Sequence, residues 1–124
     1  MNADKKWFGF WRVNPSSDAY LPELSAWIDP TWNPNDKDKI LAYLENSPMV
    51  VASTSVRTPC LICDEALNSS NFQSDGVWLW PEDLKHYIHM HHVKIPSSFE
   101  NHIRQNEYAP PKGVKATIDE LPWP

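Results

Sequence analysis

Apolar residues along this chain come in short bursts divided by prolines, and each burst carries the period of a different element. Trp7 to Val13 is an aromatic run with apolar groups on both faces, which predicts a strand that is central in a sheet or covered. Asn14-Pro15-Ser16-Ser17-Asp18 then turns the chain. Between Tyr20 and Trp32, Pro22 and Pro30 bracket Leu24, Trp27 and Ile28, a spacing that fits one short helical stretch and a loop. Asn33 as N-cap and Pro34 at the first helical position predict a helix to about Asn46. Its apolar face is Ile40, Leu41 and Leu44, with Asp36, Lys37, Asp38, Lys39 and Glu45 elsewhere. Ser47-Pro48 stops it, and Met49 to Ala52 is short and β-prone, the pattern of a buried strand.

From Cys63 to Ser74 the chain is polar, and Ser74-Asp75-Gly76 predicts a turn into a strand over Val77 to Trp80. Pro81 opens a second helix, expected to end near His92, with Leu84, Tyr87, Ile88 and His91 on one face and Glu82 and Asp83 in its first turn. Ser97 and Glu100 have capping-box spacing and predict a third helix to about Gln105, with Phe99, His102 and Ile103 inward. Residues 108–124 have no periodicity and are rich in proline, so the expected organisation is one globular domain over 1–107 and a C-terminal tail over 108–124. The expected fold class is α+β: one small domain of short strands and about three short helices.

Composition sharpens this picture in three places. Twelve prolines against three glycines argue for fixed loops and short elements. Seven tryptophans supply enough buried area for a chain of 124 residues to fold unaided. The net charge of −5, with lysines and arginines scattered and forming no stripe, argues against nucleic acid as the partner and suits a more basic protein. No stretch reaches membrane-spanning length and the aromatic N-terminal segment lacks a signal-peptide core, so a cytoplasmic location is expected.

In that setting the two cysteines become the main chemical clue. Cys60-Leu61-Ile62-Cys63 would close only a tiny disulfide loop, and in a reducing compartment this spacing favours metal or redox chemistry. The helix that follows carries His86, His89, His91 and His92, so a Cys2His2 site for Zn2+, held between two elements, is the candidate. The alternative is a pair of buried cysteines acting as small apolar residues. Helical geometry leaves the histidines open. His86 and His89, three apart, share a face, whereas His86 and His91 stand roughly 140° apart on a regular helix, so pairing them requires local unwinding. His91 is equally a candidate core histidine, and His92 and His102 remain further choices.

The stretch Cys60-Leu61-Ile62-Cys63, Ser74-Asp75-Gly76-Val77-Trp78-Leu79-Trp80-Pro81-Glu82, Leu84-Lys85-His86-Tyr87-Ile88, His91, Val93, Ile95-Pro96 and Phe99 resembles a group of small bacterial proteins of unknown function. Their pattern is Cys-x2-Cys, then Thr/Ser-Asp-Gly-x-Trp/Tyr-x-Trp-Pro-Glu-Gly-Leu-x-His-Tyr-Val, then His-x-Val-x-Leu-Pro. The resemblance covers about two thirds of the chain and implies His86 and His91 as the histidine ligands beside Cys60 and Cys63. The chain departs from the pattern with Asp83 in place of Gly and with Thr58-Pro59 ahead of Cys60. The group lends no activity.

Enzyme readings fail on spacing. Pro59-Cys60-Leu61-Ile62-Cys63 matches half of the zinc deaminase signature, but no histidine precedes Cys60. Three glycines make no phosphate loop, and nothing marks a base or an oxyanion site for a Cys60 nucleophile. The expectation is therefore a non-enzymatic protein-binding domain with a structural zinc, of the toxin-immunity or antagonist kind. Trp32 and Trp123 are its candidate aromatic anchors, and Asp36, Asp38, Glu45, Asp64 and Glu65 its candidate acidic contacts. A zinc-ribbon-like nucleic-acid-binding or regulatory module is the alternative.

Overall fold

The computed structural model describes residues 6–13, 16, 19–51, 59–65, 71–112 and 114. Its elements are β1 (Lys6–Trp7), a 3-10 turn (Leu24–Trp27), α1 (Lys37–Asn46), β2 (Met49–Val51), β3 (Phe72–Ser74), β4 (Trp78–Pro81), α2 (Leu84–His91) and α3 (Ser97–Gln105). The four strands form one sheet in the order β1-β4-β3-β2, with β1 parallel to β4 and the other pairs antiparallel. This is the small α+β domain expected from the pattern.

The aromatic N-terminal run is regular for only two residues and lies on a sheet edge, where a longer, central or covered strand was expected. Gly9 explains the break. Its φ of +93° is a left-handed conformation, and a side chain there would meet Pro81 Cδ at 3.0 Å. The chain leaves the sheet at that point and drives Phe8 and Trp11 into the core, where each packs edge-on, Phe8 against Trp27 and Trp11 against Tyr87.

Helix α1 starts three residues later than Asn33-Pro34 suggests, because Pro34 closes a separate turn onto the Lys37 N–H. Asp36, at the N-cap, does not cap. Its carboxylate is held by Arg104 Nε at 2.8 Å and Nη2 at 3.1 Å and by the Tyr108 hydroxyl, and these contacts hold it below the usual carboxylate pKa range. Asp36 is thus an internal clamp between α1 and the end of α3, not an open acidic contact. Tyr108, first residue of the expected tail, packs against the core here; residue 113 and residues 115–124 lie outside the described residues.

The buried face of α1 is Ile40, Tyr43 and Leu44, with Leu41 at its margin. Strand β2 is an edge strand with Met49 exposed, where a buried strand was expected; Ala52 lies outside the described residues. Strand β3 falls in a stretch that reads as polar loop. Its central residue, Gln73, is buried because its amide donates to the Glu45 and Ser47 carbonyls, satisfying backbone groups at the end of α1. The Ser74-Asp75-Gly76 turn forms as expected: Asp75 Oδ1 accepts the Val77 and Trp78 N–H groups, and Gly76 takes φ +93°.

Helix α3 occupies the expected residues, but without the capping box. The Glu100 carboxylate instead accepts the Trp32 indole N–H and pairs with Arg104 at 3.0 Å. Trp32 is half-buried by that bond and carries Lys37 over its ring, so it is not an open anchor; Trp123 lies outside the described residues. Phe99 stacks on Trp78 at 4.3 Å, and Leu84, Tyr87 and Ile88 of α2 complete the core that sets the helix's orientation.

Candidate metal centre

Two elements, each fixed independently, converge on one point. The first is the loop over residues 59–65. Its ends are joined by the Cys60 N–H, which donates to the Glu65 carbonyl at 2.9 Å, and by the Asp64 N–H, which donates to the Cys60 carbonyl at 3.1 Å. Asp64 follows the second cysteine in the left-handed region, with φ of 61°, and this reverses the chain so that both sulfurs lie on one side. The Ile62 N–H points at Cys60 Sγ at 3.4 Å, a donor that stabilises negative charge on sulfur. Cys60 is buried in the core cluster; Cys63 is exposed, and the two form no disulfide.

The second element is α2. Leu84, Tyr87 and Ile88 anchor it in the core, and its C-terminus is tied from outside: Asp29 N–H donates to the His92 carbonyl at 2.8 Å and Lys94 N–H to the Trp27 carbonyl at 2.9 Å. The helix ends through a wide turn. His92, in the left-handed region, bonds the Tyr87 carbonyl five residues back, and Val93 N–H reaches the same carbonyl at 3.3 Å. His86 and His91 both lie within the α-helical span Leu84–His91, so the structure pairs positions five apart without the unwinding that the sequence pattern predicted. The His86 and His91 rings meet edge to face with centroids 5.1 Å apart.

Cys60, Cys63, His86 and His91 each bring one donor atom to the point of convergence, and these four atoms all lie within 4.8 Å of one another. The edge between Cys63 Sγ and His86 Nε2 is 3.6 Å. His89 and His92 are exposed and outside the group, and His102 is elsewhere, 3.0 Å from Asp75.

The surroundings suit a cation. His91 Nε2 is buried with no hydrogen-bond partner, and desolvation, followed by the nearby His86, lowers the His91 pKa and so favours the neutral ring. Cys63 stands above the ordinary thiol pKa. The Glu65 backbone N–H favours its thiolate, but desolvation and the adjacent Cys60 sulfur outweigh that bond. Two neighbouring thiolates need positive charge between them.

Two supporting residues escaped the sequence reading. Glu65 Oε2 lies 3.7 Å from His86 Nδ1 and 4.0 Å from Cys63 Sγ, at the margin of the cluster, where a carboxylate can orient a ligand imidazole. Only its position two residues after Cys63 hinted at this. Tyr87 reads as a core aromatic, and it is buried, but its hydroxyl also accepts the Leu61 N–H at 3.1 Å and so joins the loop to the helix. Burial, with Cys60 close by, pushes the phenol up to about 12, so it stays protonated.

Among the described residues, no helix is long and apolar enough to cross a membrane. No protein-family model matches the chain, and neither the curated proteins nor the solved structures contain a significant match.

Proposed function

We propose that Cys60, Cys63, His86 and His91 bind one Zn2+ ion and that its role is structural, clipping the loop 59–65 to α2. The observation that carries this reading is the mutual distance of the four donors. A tetrahedral ion with Zn–S of about 2.3 Å and Zn–N of about 2.0 Å has donor edges of roughly 3.3 to 3.8 Å. The Cys63–His86 edge is already in that range, and the others need at most about 1.5 Å of contraction to reach it. Two thiolates and two imidazoles are the soft and borderline set that favours zinc over hard cations. Four protein ligands fill the tetrahedron and leave no position for a substrate or a reactive water, which separates this site from catalytic zinc sites.

On this reading the clipped domain is a binding protein, an antagonist of the toxin-immunity kind that occupies a more basic partner protein. A net charge of −5 supports that choice, since complementary fields steer association. Elemental analysis of the purified chain is expected to give one zinc per chain, and none in Cys60→Ser or His91→Ala. Metal-free wild type, with a melting temperature unmoved by added zinc, would remove the metal reading. Capture of a basic partner, with an association rate that falls as salt rises, tests the binding reading; a rate indifferent to salt would remove its electrostatic basis.

A further inference from the structure

The four donors of the proposed zinc site are unequally exposed. Cys60 is buried, His86 and His91 are half-buried, and Cys63 alone is open to solvent. Leu61 and Ile62, between the cysteines, are 41% and 46% exposed, so the tip of the loop 59–65 stands clear of the core and the Cys63 sulfur can be approached from outside. Cys60 is shielded instead. It packs in the core cluster, and its sulfur receives the Ile62 N–H at 3.4 Å. The chain has two cysteines, so an oxidised Cys63 has Cys60 as its single thiol partner within the molecule. The two sulfurs lie within 4.8 Å of each other in one loop, so a bond between them can form by movement of that loop alone.

We propose that the centre is a reversible redox switch that gives up its ion when a hydroperoxide oxidises the exposed Cys63 and the buried Cys60 resolves it. This rests on the zinc reading above, because coordination is what holds both cysteines as thiolates, the form that attacks. The Cys63 sulfur attacks the terminal peroxide oxygen, the O–O bond breaks, and the departing oxygen takes a proton from solvent to leave as water or an alcohol. Cys63 then carries S–OH. The Cys60 thiolate attacks that sulfur, the S–S bond forms, the S–O bond breaks, and the hydroxide that leaves is protonated to water. Two electrons have passed from the sulfurs to the peroxide. A disulfide sulfur is no longer a thiolate ligand, so His86 and His91 are left as half of a tetrahedral set and the ion departs. The Tyr87 hydroxyl on the Leu61 N–H at 3.1 Å keeps the loop beside α2 in the meantime. A disulfide with a loop this short and one exposed sulfur is of the kind that thiols reduce, so a thiol reductant returns the ligands to place.

The zinc-loaded full chain, treated with hydrogen peroxide beside a chromophoric chelator and read by peptide mass spectrometry, tests the switch. One zinc released for each Cys60–Cys63 disulfide is expected, and dimedone, which traps sulfenic acid, should label Cys63. Excess thiol followed by zinc should restore the full metal content. Met49 and Met90 are exposed and oxidise as well, but simple thiols leave the sulfoxide in place, so recovery on reduction separates the cysteine event from theirs. Zinc lost without a disulfide, zinc loss that thiol does not reverse, or dimedone on Cys60 in place of Cys63 overturns the proposal. So does a chain that keeps its zinc and both thiols through a treatment that converts Met90 to the sulfoxide. The metal content before treatment tests the earlier reading separately: a loaded chain indifferent to peroxide removes the switch alone, and a chain that never holds zinc removes both.

Discussion

His102 and His91 each lie on a helix that packs on the core, yet the groups around them are completed in opposite ways. His102 Nε2 sits 3.0 Å from Asp75 Oδ2, and the same oxygen accepts the Tyr43 hydroxyl at 2.6 Å. Asp75 Oδ1 takes the Val77 and Trp78 N–H groups, and Asn106 Nδ2 donates to the Tyr43 oxygen at 3.0 Å. Burial, reinforced by Asp75, pushes the Tyr43 phenol far above its ordinary range, so that proton stays in place. Every role in this network is filled from within the chain. At His91 the protein supplies fewer donors than acceptors: two sulfurs that meet only the Ile62 and Glu65 backbone N–H groups, and a buried His91 Nε2 with no hydrogen-bond partner. The two histidine clusters thus divide by completeness. One holds the β4 turn against α1 and α3 by itself, and the other is the group for which an ion is proposed above.

The first way to test that division is to remove the ion. A tight chelator, or Cys60→Ser, is expected to lower the melting temperature by roughly 10 °C or more, because metal binding to a structural site is folding free energy. Asp75→Asn should leave the zinc content at one per chain and cost about 2 to 4 kcal/mol in urea unfolding, since it turns an amide toward donors that now face a carboxylate. If the chelator left the melting curve unmoved while Asp75→Asn behaved as expected, both clusters would be self-sufficient and the contrast would disappear.

A smaller effect sharpens the metal side. Glu65→Gln should weaken zinc about 10-fold to 100-fold in competition with a chromophoric chelator, and leave the stability of the metal-free chain unchanged. Equal loss in both forms would make Glu65 a folding residue. The smallest expected effect concerns Asp83, half-buried at the N-terminus of α2, where desolvation and then the neighbouring Glu82 push its carboxyl up to about 6. A carboxyl whose folded pKa lies above its unfolded value favours the protonated form in the fold. Stability therefore falls as pH rises from about 4 to about 6 and stays lower above that. After allowance for solvent screening at a half-exposed group, Asp83→Asn is expected to gain about 1 kcal/mol at pH 7 and nothing at pH 4. An equal gain at both values would point to helix propensity in place of charge.

The cysteine pair was legible because a C-x2-C spacing constrains two sulfurs locally. The histidine pair was not legible from helical periodicity, since five residues on an ordinary helix separate two side chains widely. They nevertheless meet at the C-terminal end of α2, where His91 is the last helical residue and His92 takes the left-handed position with no glycine to announce the stop. Elsewhere the pattern misleads where a polar side chain serves another element. Gln73 makes β3 look like loop because it closes the end of α1, Asp36 reads as an exposed acidic residue but holds Arg104, and Glu100 reads as part of a capping box but holds Trp32 and Arg104. Gln73, Asp36 and Glu100 each take a partner between 26 and 68 residues away, in Ser47, Arg104 and Trp32, which local spacing does not encode.

The parallel pairing of Lys6 and Trp7 with Trp78 and Leu79 has a consequence for the order in which the protein is made. At synthesis rates of about 5 to 20 residues per second, the first strand waits roughly 4 to 14 s for its partner to be polymerised. Phe8 and Trp11, buried in the finished domain, have no sheet to close over during that interval. The residues from Cys60 to His91 are added across the stretch that also supplies β4, so the N-terminal aromatics and the candidate site gain their partners over the same interval.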